Sequence, residues 1–81
     1  MPSRLENLIL RITHNNPRLT ISFQSDARLE AIRITFAEFD EATEEKRTLD
    51  RIIPNNSIAT FRGGDLLMRE LEFAERLWDK Q

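Results

Sequence analysis

The sequence predicts an α+β fold for a single domain spanning residues 1–81: a three-stranded antiparallel meander with two helices packed on one face, in the order α-β-β-β-α. Three observations lead there. Apolar residues recur at helical spacing near both ends of the chain. Between them, RLTISFQ (18–24) alternates apolar and polar residues with the period of a half-buried strand. The stretch AIRITFAEFDEATEEKRTLDRI (31–52) can then supply the two further strands that such a strand needs.

The first helix is expected over residues 4–14. Ser3-Arg4-Leu5-Glu6 fits a capping box, in which the Ser hydroxyl accepts from the backbone N–H three residues on and the Glu side chain reaches back to the Ser N–H. Leu5, Leu8, Ile9 and Ile12 fall at i, i+3, i+4 and i+7, forming one apolar stripe. Asn15-Asn16-Pro17 ends it, because Asn tolerates the left-handed cap conformation and the residue before Pro is steered away from the helical region. In the strand that follows, Leu19, Ile21 and Phe23 share one face and Arg18, Thr20, Ser22 and Gln24 the other. Ser25-Asp26-Ala27 supplies turn chemistry after it.

Residues 31–52 fit two periods. A helix would align Leu29, Ile32, Phe36 and Phe39 on one seam and misplace only Ile34. A strand would put Ile32, Ile34 and Phe36 on one face, in residue types that suit a sheet, and would leave Phe39 needing a bulge or an exposed ring. Context decides between them. A lone strand at 18–24 must pair its backbone groups, and the nearest partner is a neighbouring strand reached by the Ser25–Arg28 turn. A second turn through Asp40–Glu45 then returns the chain as Arg47–Ile53, until Pro54-Asn55-Asn56 stops it. Ser57–Phe61 reads as a short extended piece. Gly63-Gly64 reads as a bend, and Asp65 as the N-cap of the last helix. That helix carries Leu67, Leu71, Ala74 and Trp78 as one stripe, widened by Leu66, Phe73 and Leu77. The alternative keeps 31–52 helical and gives a mostly α, ribbon-helix-helix-like dimer.

Composition narrows the functions. A chain of 81 residues buries only about 60% of its unfolded surface, so a second subunit would add stability. The absence of Cys removes disulfides and thiolate metal sites, and MPSRLENLILRI carries charges where a signal peptide would be apolar. A cytoplasmic location away from membranes is expected. The net charge is −2, with eleven acids against seven bases over residues 34–81, which argues against a nucleic-acid partner.

Catalytic chemistry has little to work with. There is neither Cys nor Tyr, and the single His, His14, sits in the last turn of the first helix, where imidazole suits the carbonyl end. No catalytic residue is assigned and no enzyme is expected. Asp40, Glu41, Glu44 and Glu45 have the oxygen ligands of a hard-cation site but lack the alternating acids and turn-forming Gly of a calcium loop, so no metal and no other cofactor is expected. Arg62-Gly63-Gly64 ahead of a helix has the look of a phosphate loop, but Asp65 would occupy its donors and repel an anion.

The α-β-β-β-α order resembles that of double-stranded-RNA-binding domains and of some small phage-encoded inhibitors. The RNA-binding family grips phosphates with a Lys-rich start to its second helix, where this chain has Gly63-Gly64-Asp65-Leu66-Leu67, so RNA binding is not implied. The helical alternative is similar to ribbon-helix-helix DNA-binding proteins, and that likeness would turn Arg18, Thr20, Ser22 and Gln24 toward the bases.

The expectation is therefore a small non-catalytic protein-binding module, an inhibitor, regulator or accessory subunit. It would present Glu38, Asp40, Glu41, Glu44 and Glu45 as an acidic hairpin tip to a protein with a basic surface. Trp78 lies close to the C-terminus, where the helix frays unless the ring is buried in its own sheet or in another copy, so Phe73 and Trp78 are candidates for self-association. A far-UV circular dichroism spectrum tests the fold: about 35% helix for the meander, more than half for the ribbon.

Overall fold

A computed structural model of the chain describes residues 3–56 and 63–81, with the side chains of 63–65 left aside. Five elements follow one another: α1 (Arg4–Asn15), β1 (Leu19–Asp26), β2 (Ala31–Asp40), β3 (Glu45–Pro54) and α2 (Gly63–Asp79). The extended piece expected at Ser57–Phe61, and Arg62 of the phosphate-loop reading, lie outside the described residues.

Both ends of α1 are capped by side chains, the first largely as expected and the second with a different geometry. Ser3 is the N-cap, and its Oγ accepts from the Glu6 N–H at 3.1 Å. In the other half of the box Glu6 Oε1 accepts as expected, but from the Ser3 hydroxyl at 3.3 Å in place of the backbone N–H. At the C-terminus Asn16 has φ −132 rather than a left-handed conformation. Its backbone N–H and its Nδ2 both donate to the Ile12 carbonyl, at 3.0 and 2.9 Å, so the side chain folds back on the helix end and reinforces its last backbone bond. The Leu19 N–H then bonds the Asn16 carbonyl at 2.9 Å and leads the chain straight into β1.

The sheet has the order β1-β2-β3 with both pairings antiparallel. The first pairing runs from Leu19↔Glu38 to Asp26↔Ala31, the second from Ala31↔Pro54 to Asp40↔Glu45. Residues 31–52 are thus two strands and a turn, which overturns the ribbon-helix-helix alternative. β1, which holds Thr20, Ser22 and Gln24 and follows Arg18, pairs with β2 of its own chain, so it belongs to a three-stranded sheet and not to the strand-helix-helix order that reading required. Backbone satisfaction is the reason: β2 finds a ladder on each side, which a helix of the same residues would deny to β1.

The register lines up Ile21, Phe36 and Leu49 across the three strands. Around that row a single core gathers Leu8 and Ile12 of α1, Leu19, Ile34, Phe36 and Ile53 of the sheet, and Leu71, Ala74 and Trp78 of α2. Both helices therefore cover the same face. Phe36 and Trp78 are fully buried, their rings 6.0 Å apart and tilted by 60°, within the range that aromatic pairs prefer. Phe39 keeps the uninterrupted register and points to the helix-free face with its ring 52% exposed, so the phase problem is met by exposure and not by a bulge.

α2 begins at Gly63, which places Asp65 in its first turn; the expected N-cap role of Asp65 and the bend at Gly63-Gly64 are corrected accordingly. Among the described residues one ion pair ties the helices to each other and another ties the sheet to α2. Arg11 Nη2 meets Glu75 Oε1 at 2.9 Å between α1 and α2, and Arg51 Nη2 meets Glu70 Oε2 at 2.7 Å between β3 and α2.

The two phenylalanines of β2 should separate cleanly on truncation. Phe36→Ala should cost about 3–5 kcal/mol or prevent folding, whereas Phe39→Ala should stay within about 0.5 kcal/mol of the parent in urea titrations.

Candidate functional site

The acidic tip is the β2–β3 turn, and it repeats the construction of the β1–β2 turn. Asp26↔Ala31 and Asp40↔Glu45 each close a four-residue loop. In both, the leading Asp holds the loop: Asp26 Oδ1 accepts from the N–H groups of Arg28 and Leu29 at 3.0 and 3.1 Å, and Asp40 Oδ1 accepts from the Ala42 N–H at 2.9 Å. Asp suits this position because its short carboxylate reaches the backbone two residues on. In both, the last loop residue is a Glu in the left-handed region, Glu30 at φ 49 and Glu44 at φ 59. That conformation brings Cβ close to the backbone and costs a non-Gly residue roughly 1–2 kcal/mol.

The five acids divide into two groups. Glu38 and Asp40 are partly covered and face bases of their own chain: Glu38 Oε2 lies 3.9 Å from Arg47 Nη2, and Asp40 Oδ1 lies 3.6 Å from Arg18 Nη1. Glu41, Glu44 and Glu45 are exposed, and among the described residues none of them takes part in an ion pair. Of the five acids, these three are the ones without an ion-pair partner among the described residues, with Lys46 as the nearest base in sequence. No group of three His, Asp or Glu side chains converges to hold a metal among the described residues.

Two shallow depressions flank the tip. Glu38, Asp40, Glu45, Lys46 and Arg47 line one, and Arg18, Thr20, Phe39, Asp40, Glu41 and Ala42 line the other. The second sets an exposed aromatic ring beside carboxylates. Phe39 was not among the residues singled out for the site, although its phase mismatch in β2 was the signal that could have found it.

Arg47 was also missed. Its guanidinium lies 3.6 Å from the centroid of the Trp78 ring, so the tip end of the β2–β3 hairpin is stacked on the end of α2. Trp78 is 1% exposed within its own chain, which removes it from a self-association surface and corrects that expectation. Phe73 stays at the surface at 39% exposure, with Arg51 and Arg76 guanidinium carbons 4.6 and 5.7 Å from its ring centroid. His14 is exposed in the last turn of α1, and Thr20, Ser22 and Gln24 lie on the sheet face away from the helices.

Compared with known proteins, the chain matches no family model, no curated protein and no solved structure. No helix among the described residues is long and apolar enough to cross a membrane.

Two substitutions test this geometry. Arg47→Ala should cost about 1–2 kcal/mol as the stacking is lost, and should shift the emission of the single tryptophan to longer wavelength as water reaches the ring. Glu44→Gly relieves the left-handed strain at the price of a more flexible unfolded chain, so stability should hold or rise by up to about 1 kcal/mol, while Glu44→Val should lower it by about 1–2 kcal/mol in the same urea titration.

Proposed function

We propose that the protein is a small non-catalytic protein-binding module, an inhibitor, regulator or accessory subunit working in the cytoplasm, whose hairpin tip docks on a basic surface of another protein. The observation that carries this reading is the unbalanced charge of Glu41, Glu44 and Glu45, gathered at one turn and left without an ion-pair partner among the described residues. Clustered charge of one sign speeds encounter with an opposite surface and discourages wrong partners. Phe39 gives the same end of the molecule an apolar contact, with its ring exposed beside Glu41. Interfaces of ordinary strength combine such an aromatic anchor with a charged rim.

In this reading Glu38 and Asp40 act mainly within the chain. Asp40 holds the turn, and Glu38 lies beside the Arg47 guanidinium that covers Trp78. The docking surface is therefore Glu41, Glu44, Glu45 and Phe39.

A pull-down from the native lysate tests it. Reversing Glu41, Glu44 and Glu45 to Lys should reduce recovery of the partner at least about tenfold, and the parent interaction should weaken as salt is raised. An unchanged partner, recovered equally well by the reversed variant and at high salt, would sink the proposal.

A further inference from the structure

The two edges of the sheet are treated differently by the sequence. β3 presents Glu45, Lys46, Arg47, Asp50 and Arg51 along its length and ends on Pro54, the kind of charge and Pro that keeps an edge from pairing with another chain. β1 is eight residues long, LTISFQSD, with no charge before Asp26 and no Pro. Among the described residues it has a neighbour on one side only. A strand of this kind offers a row of backbone donors and acceptors to a further strand.

A second observation lies on the helix-facing side of that strand. Phe23 is 38% exposed, while Leu19 on the same strand is 6% exposed and Ile34, directly opposite Phe23 on β2, is fully buried. The sheet thus carries an aromatic ring that its own helices cover incompletely, and it does so at the open edge.

We propose that β1 is a self-association edge at which two copies of this chain pair antiparallel about a two-fold axis at Ser22, joining their sheets into one of six strands. Antiparallel pairing of a strand with itself is self-complementary, as a two-fold interface requires. The axis stands perpendicular to the sheet, so the helices of both copies share one side and residues opposite each other have numbers of equal parity. With Ser22 on the axis, Ile21 of the second copy stands opposite Phe23 and extends the apolar row over its ring. Thr20 then faces Gln24, and Leu19 faces Ser25.

Charge selects this register over its neighbours. Centring on Ser22 sets Arg18, which lies 3.6 Å from Asp40 of its own chain with its side chain 62% exposed, opposite Asp26 of the second copy, twice by symmetry. Each would add a partner to those it already has, Asp40 for Arg18 and the turn N–H groups and Arg33 for Asp26. Centring on Ile21 instead sets Arg18 against Gln24. Centring on Phe23 sets Arg18 against Arg28, and like charges placed opposite one another are unfavourable. The second copy's β2–β3 turn lies at the far end of the joined sheet, so the dimer carries an acidic tip at each end. This assembly does not depend on what those tips bind.

Light scattering on the full chain over a wide concentration range, with circular dichroism to confirm that each variant is folded, tests the proposal. The parent should show a dimer mass. Ser22→Lys, which places two ammonium groups on the axis, should weaken dimerisation about tenfold or more, while Thr48→Lys on the β3 edge should leave it unchanged. The register has its own readout, because the chain has no other cysteine. Ser22→Cys should form an intersubunit disulfide under mild oxidation, whereas Thr20→Cys should not, its two copies being about 13 Å apart along the strands. A monomer mass at every concentration, a dimer indifferent to Ser22→Lys, or crosslinking by Thr20→Cys in place of Ser22→Cys would each overturn the inference.

Discussion

The backbone of β2 is shared between two neighbours, and the rest of the molecule is arranged around that commitment. From Ala31 to Glu38 each residue of β2 is opposite one residue on β1 and another on β3. Because successive side chains of a strand point to opposite faces, a slip of one residue would turn Ile34 and Phe36 to solvent and Thr35 and Ala37 inward. The register therefore fixes the position of Phe36, and Phe36 fixes where Trp78 can pack. Trp78 in turn anchors the last full turn of α2, a helix end that would otherwise fray. One choice of pairing thus sets the sheet face, the helix seat and the end of the chain.

The core that results is closed at its rim by arginines. On β3 the helix-facing positions are Glu45, Arg47, Leu49, Arg51 and Ile53, so two of the five are basic. Arg47 lies over Trp78, and Arg51 lies over Phe73 while both its Nε and Nη2 donate to Glu70. Long stems that lie on apolar surface with the charged head at its margin serve as hydrophobic cover. A small domain with limited internal volume gains more from such covers than from isolated surface ion pairs, which contribute little each.

Those arginines also explain what the sequence hid. The helices were legible because Leu5, Leu8, Ile9 and Ile12, and later Leu71, Ala74 and Trp78, keep a simple period and lie on the core side. β1 was legible for the same reason. The β2–β3 pair was legible only by inference from the needs of β1, since Arg47 and Arg51 break the apolar alternation of β3 and Phe39 breaks that of β2. The caps were legible as residues but only partly as geometry: Ser3 and Asn16 sit where expected, yet Glu6 meets the Ser3 hydroxyl in place of its backbone N–H, and Asn16 ends the helix without a left-handed conformation. Of the tip, the acids could be read as a run but not as two groups. Which carboxylates meet Arg18 and Arg47 depends on strands far apart in sequence.

That division separates what the fold needs from what it merely tolerates. The turn needs an acceptor at Asp40 and a left-handed residue at position 44. Asn or Gly would serve the second requirement at least as well as Glu44, and a neutral residue at Glu41 or Glu45 would break no ion pair among the described residues. The matching β1–β2 turn makes the point by comparison. It uses the same Asp and the same left-handed Glu, but fills its middle with Ala27, Arg28 and Leu29 where the tip has Glu41, Ala42 and Thr43 and is followed by Glu45. Two turns with one backbone solution and different surface charge place Glu41 and Glu45 outside the demands of folding, which is the condition that the proposed docking surface has to meet.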